Sequence, residues 1–149
     1  MKGPEKPNPQ VSIRLPALME NLPRFIEPVS AAARALGIGE EKCADLELAL
    51  EEALVNIFSY AYPETPGFVT VSCRTEADGF VLLLEDEGIA FSMMAASPPD
   101  LNRDMADRKI GGLGIHLIKT LMDEVRYRRE GNRNMLELIL FMHGKEEGR

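Results

Sequence analysis

The chain has 149 residues, 45% of them hydrophobic, with 17 basic and 24 acidic side chains and a formal charge of −7. That length fits one domain able to bury roughly 70% of its unfolded surface, and the hydrophobic share excludes general disorder. The acidic balance argues against non-specific binding to DNA or an anionic membrane, which both need compensating cations, but allows a local basic pocket for phosphates.

Met1 to Pro9 carries three prolines and is expected to be a disordered tail, as is the stretch 144–149. The first ten residues have no apolar core, unlike a signal peptide. Val11, Ile13 and Leu15 alternate with polar residues, which predicts a half-buried strand. From Asn21, Leu22, Phe25, Ile26, Val29, Ala33 and Leu36 recur at helical spacing up to Gly37, and Pro28 is expected to kink that helix or break its first turn. Glu40 to Tyr60 carries the longest helical stripe, through Leu46, Ala49, Leu50, Ala53, Leu54 and Ile57.

Phe68 to Arg74 and Phe80 to Glu85 read as strands, with Asp78-Gly79 between them as a hairpin signal. Ser92 to Ile110 has no sustained period, and unstructured stretches of about that length are usually lids, binding loops or disordered. Leu113 to Met122 is helical after its glycines. Val125 to Arg129 and Met135 to Phe141 then pair around Gly131-Asn132. No repeat or linker divides 10–143, which is expected to be one domain. The element order predicts an α+β, two-layer sandwich with helices on one face of a mixed, largely antiparallel sheet.

Cys43 and Cys73 have neither CxxC nor metal-ligand spacing and are expected as reduced core thiols of a cytoplasmic protein. No run approaches the ~20 apolar residues of a membrane span. His116 and His143 lack partner ligands at zinc spacing. Arg126, Arg128, Arg129 and Arg133 alternate along a hairpin and read as a solvated face rather than a nucleic-acid site.

Three segments carry chemistry. Glu52 and Asn56 stand four apart, so they share a helix face. An amide oxygen suits Mg²⁺, which wants hard ligands and keeps waters and phosphate oxygens, and a carboxylate beside it can take a proton. The same spacing also occurs on any solvated helix face. Asp86 ends an apolar strand, where it can accept from an exocyclic amine, a charge-assisted bond worth about 1.5–3 kcal/mol. Gly88 allows a tight turn or close approach to a ring. In isolation, Asp86 reads first as an ordinary turn acid. Gly111-Gly112-Leu113-Gly114 opens an apolar helix, and bare amides at a helix N-terminus bind phosphate. It is neither a Walker loop nor a GxGxxG turn, and a flexible helix start has the same composition.

In combination these segments resemble the three nucleotide-binding boxes of the GHKL ATPase superfamily (gyrase, heat-shock chaperone, histidine kinase, MutL). More narrowly the chain is similar to the bacterial anti-sigma-factor serine-protein kinases. The resemblance rests on Glu52-Ala53-Leu54-Val55-Asn56 with Ala61-Tyr62-Pro63, on Asp86-x-Gly88-x-x-Phe91, and on Gly111-Gly112-Leu113-Gly114-Ile115-His116-Leu117-Ile118-Lys119 running on to Val125. It covers about residues 10 to 142. It departs at Ala90-Phe91-Ser92, where many members carry Pro before the Phe and an acid or Asn after it.

The resemblance implies the histidine kinase-like (Bergerat) ATPase fold, with ATP and Mg²⁺ as cofactors. Asn56 would hold Mg²⁺ and Glu52 would be the general base toward a protein serine or threonine. Asp86 would bind the adenine amine and Gly88 would shape its pocket. Gly111, Gly112, Leu113, Gly114 and Ile115 would form the phosphate segment, with Gly112 and Gly114 hinging the lid. Implied partners are a sigma factor and a STAS-type anti-sigma factor antagonist, with a homodimer as the usual assembly. The function so implied is an ATP-dependent serine/threonine protein kinase and anti-sigma factor in a partner-switching pathway. A second reading is an ATP-sensing, partner-binding module without kinase activity. A third, the detached ATP-binding half of a histidine kinase, needs a phospho-acceptor histidine on a helical domain, and neither histidine occupies one.

Overall fold

The computed structural model describes residues 10–90 and 112–142. The expected tails, the Ser92–Ile110 segment, Gly111 and His143 lie outside the described residues. Strand β1 (Val11–Pro16) leads through a short 3-10 turn (Met19–Asn21) into α1 (Leu22–Ala35), followed by α2 (Glu40–Tyr60). Strands β2 (Phe68–Glu76) and β3 (Gly79–Asp86) come next, then α3 (Gly112–Leu121), β4 (Glu124–Glu130) and β5 (Arg133–Phe141).

The strands form one sheet in the order β1-β2-β3-β5-β4. All its pairings among the described residues are antiparallel, so the sheet is antiparallel throughout rather than mixed. Strand β5 inserts between β3 and β4, which puts Asp86 opposite Asn134 and Asn134 opposite Arg129. The α+β sandwich follows from period: Phe80, Leu82 and Leu84 of β3 and Leu136, Leu138 and Leu140 of β5 share one face, two residues apart. Helix α2 covers that face with Leu46, Leu50 and Leu54, all fully buried, each contributing roughly 1.5–3 kcal/mol of burial. Helices α1 and α3 flank it through Phe25 and Val29 on one side and Ile115 and Ile118 on the other.

One local expectation differs from the structure, and one is narrowed by it. Helix α1 runs from Leu22 to Ala35 with no broken turn at Pro28, which withholds an N–H from the carbonyl of Arg24. It ends where the N–H groups of Gly37 and Ile38 turn back to the carbonyls of Arg34 and Ala33 at 3.0 and 3.2 Å. The β2–β3 turn is Ala77-Asp78, not Asp78-Gly79: Glu76 pairs with Gly79, and Ala77 takes the left-handed φ of 54°. Gly79 is instead the first residue of β3, close under Ile139.

Cys43 and Cys73 are buried free thiols, and burial pushes Cys73 up to about 11. Among the described residues no helix is long and apolar enough to cross a membrane. The outer face of the sheet carries the exposed pairs Arg126–Glu124, Arg128–Glu130 and Arg133–Glu85, as expected of a solvated face, each worth about 0–1 kcal/mol.

Candidate functional site

The apolar stripe of α2 turns Asn56 inward until it is 6% exposed, while Glu52, one turn earlier, is half-buried. Asn56 Nδ2 donates to the carbonyl of Glu52 at 2.9 Å, which leaves Oδ1 as the atom able to offer lone pairs to a cation. Gly114, in the first turn of α3, lies directly over this pair. A Cβ there would stand 2.9 Å from Asn56 Nδ2 and 3.3 Å from Glu52 Oε2. Only a residue without a side chain lets the opening of α3 approach so closely. The first and third segments therefore meet, with helix N-terminal amides beside a carboxylate and an amide. Gly112 and Ile115 are in the same helix, Ile115 buried in the core; Leu113 lies between them in the backbone. His116 is exposed on α3.

The second segment closes the other side. Asp86, 6% exposed, is the last residue of β3 and accepts from the Gly88 N–H and from Asn134 Nδ2, both at 2.8 Å and both on Oδ1. Among the described residues both donors go to Oδ1 and none to Oδ2. Burial pushes the Asp86 carboxyl up, against the opposing pull of Asn134, the Gly88 N–H and the Arg129 guanidinium. Gly88 sits flush on the end of α2, where a Cβ would overlap the carbonyl of Ala61. That carbonyl accepts the Ile89 N–H at 2.9 Å.

Sequence reasoning did not single out Asn134, Tyr127 or Arg129. Asn134 Nδ2 donates to Asp86 and to the Ile89 carbonyl at 2.9 Å, while its Oδ1 accepts from Tyr127 at 2.6 Å and Arg129 at 3.0 Å. Arg129 also donates to the Gly88 carbonyl at 3.0 Å, so it leaves the solvated arginine series and joins the site. Period two in β5 carried the signal for Asn134, the polar residue in the row with Leu136, Leu138 and Leu140.

A cavity lies between these groups, lined by Asn56, Ile57, Leu84, Asp86, Tyr127 and Asn134 among others. Its walls are mostly apolar, and one carboxylate and two amides converge on it, a composition suited to a flat heterocycle bearing a donor. Among the described residues no group of three His, Cys, Asp or Glu could hold a metal, so a cation at Asn56 would take its other ligands from phosphate and water.

The profile of the histidine kinase-like ATPase domain family matches residues 15–140. The serine-protein kinase RsbW of Bacillus mycoides is 25% identical over 131 residues, covering 85% of this chain and 82% of that protein. The serine-protein kinase RsbW of Listeria monocytogenes is 32% identical over 128 residues, with 82% of each chain covered. Among solved structures, the RsbU and RsbW domains of a Mycobacterium tuberculosis protein match with a TM-score of 0.62 at 13% identity, over 89% of this chain and 32% of that one. That match shows a shared fold.

Proposed function

The chain belongs to the histidine kinase-like ATPase domain family, and from that premise we propose that it is an ATP-dependent serine/threonine protein kinase and anti-sigma factor. The adenine would enter the cavity with its exocyclic amine on Asp86 Oδ2. The opening of α3, Gly112 to Ile115 with Gly111 before it, would hold the phosphates through backbone N–H groups. Asn56 Oδ1 fits one ligand position of Mg²⁺, whose contribution is to neutralise phosphate charge. Glu52 would accept the proton of a serine or threonine hydroxyl as its oxygen bonds the γ-phosphorus and the bond to the β-phosphate oxygen breaks, releasing ADP. Catalysis of this kind is mostly positioning, which the close approach of Gly114 to Glu52 and Asn56 would supply.

That contact is the observation that supports the reading, because it brings Glu52, Asn56 and the opening of α3, the residues proposed as base, cation ligand and phosphate cradle, within one side chain's reach. The partners would be a sigma factor and a STAS-type antagonist that receives the phosphate, met in the cytoplasm by a homodimer. The test is transfer of labelled phosphate from MgATP to a purified antagonist, by wild type and by Glu52→Ala. Wild type should transfer and Glu52→Ala should bind ATP without transferring. Transfer by Glu52→Ala would remove the base, and ATP-dependent partner binding with no transfer by wild type would favour the non-catalytic binding module.

A further inference from the structure

We infer that Tyr62 is a positioning residue that holds the Asp86–Ile89 segment against the end of α2 and thereby sets recognition of the base. The inference rests on the nucleotide reading above and extends it to a residue that does not line the cavity.

Helix α2 ends at Tyr60, and the next two residues grip the turn that follows β3. Ala61 accepts the Ile89 N–H and is covered by Gly88. Tyr62 is half-buried, and its phenol oxygen works twice: it donates to the Phe68 carbonyl at 2.6 Å and accepts from the Glu87 N–H at 2.8 Å. One hydroxyl thus ties the start of β2 to the residue just past β3. The last pair of that ladder is Val69 with Asp86, so the phenol continues the bridge one step beyond the sheet.

Glu87, Gly88 and Ile89 are consequently each held by Ala61 or Tyr62. Within that turn the Gly88 N–H reaches back to Asp86 Oδ1 at 2.8 Å. The direction of the Glu87 peptide decides where the Gly88 N–H points, and the Gly88 N–H helps decide how the carboxylate is presented. The ring lies against Gly67, where a Cβ would overlap three of its carbons. Burial pushes the phenol up from its ordinary value, so it keeps its proton and remains a donor at neutral pH.

Tyr62→Phe deletes the bridge and leaves the ring on Gly67. The experiment is calorimetric titration of the full chain with MgATP and with the inosine analogue, which lacks the exocyclic amine. Wild type is expected to prefer ATP. In Tyr62→Phe the ATP affinity should fall about tenfold, as for the loss of one to two hydrogen bonds, and the inosine nucleotide should lose much less, so the preference narrows. Gly67→Ala, which displaces the ring from the other side, should narrow it in the same way. A purely structural role would lower the thermal midpoint and leave the preference at its wild-type ratio; that result in both variants overturns the inference while the nucleotide reading stands. Equal affinity of wild type for the two nucleotides would instead overturn base recognition by Asp86, and the inference with it.

Discussion

Asn134 donates its amide to Asp86 across the β5–β3 pair at 2.8 Å, and its orientation is fixed by the two donors, Tyr127 and Arg129, that occupy its carbonyl oxygen. An amide so held has only its NH₂ to offer the carboxylate. Asn134→Ala would leave a buried acid with the Gly88 N–H as its one remaining described donor, at a cost of about 1–3 kcal/mol. Denaturant unfolding should show that loss, and ATP affinity should fall with it because Asp86 would no longer be held in one rotamer. Unchanged stability and affinity would mean that water replaces the amide without penalty.

The buried carboxylate also makes a signed prediction for pH. Its folded-state pKa lies above the ordinary 3.8, so between those two values the folded protein holds more proton than the unfolded chain. Stability from this group therefore falls as pH rises through that window and stays lower above it. Asp86→Asn retains an oxygen to accept from Gly88 and Asn134 and carries no charge to desolvate. Its thermal midpoint relative to wild type should rise between pH 4 and 8, while ATP binding is lost because the amine-accepting charge is gone. A midpoint difference that moves the opposite way with pH would show that the hydrogen bonds outweigh burial.

Ala77 holds a left-handed φ of 54° in an exposed two-residue turn. That conformation costs an alanine roughly 1–2 kcal/mol, while a glycine there adds about 0.4–1 kcal/mol of unfolded-state entropy. Ala77→Gly should raise unfolding stability by about 0.5 kcal/mol without changing ATP affinity, since the turn lies at the far end of β3 from Asp86. A loss of stability would mean that the turn relaxes at little cost.

Periodic segments were legible in the sequence, and contacts between segments mostly were not. The bounds of α2 agree with expectation because its apolar stripe is long, and both hairpins stand where turn residues flank alternating runs. The sequence puts the β2–β3 turn one residue late because Gly79 reads as a turn glycine, whereas its place is under Ile139. Arg129 was indistinguishable from Arg126 and Arg128 by composition. Only the pairing of Arg129 with Asn134 separates it, and register is a property of two strands. Likewise Glu52 and Asn56 look like a solvated helix face until Gly114 arrives from another part of the chain. Their order and the family resemblance pointed to one site, but spacing alone did not.

Gly114 separates stability from function most cleanly. It lies in the first turn of α3, where glycine costs at most about 0.8–1 kcal/mol relative to alanine, so helix propensity favours Gly114→Ala. Against that, the added Cβ stands 2.9 Å from Asn56 Nδ2 and 3.3 Å from Glu52 Oε2, and Asn56 is buried. The two effects are opposite in sign, about 1–3 kcal/mol of overpacking against at most about 1 kcal/mol of propensity, so unfolding stability should fall by no more than about 2 kcal/mol. Phosphate transfer has no such compensation, because on the proposed roles any displacement of Asn56 or Glu52 would move the cation ligand or the base from its reacting geometry. Misplacement of about 1 Å costs on the order of a hundredfold in rate. Gly114→Ala is therefore expected to fold, with at most about 2 kcal/mol lost, and to lose ten- to a hundredfold in kcat, read by unfolding and phosphate-transfer assays on the same preparation. Full activity in a folded variant would mean that the close approach of α3 to α2 has no part in catalysis.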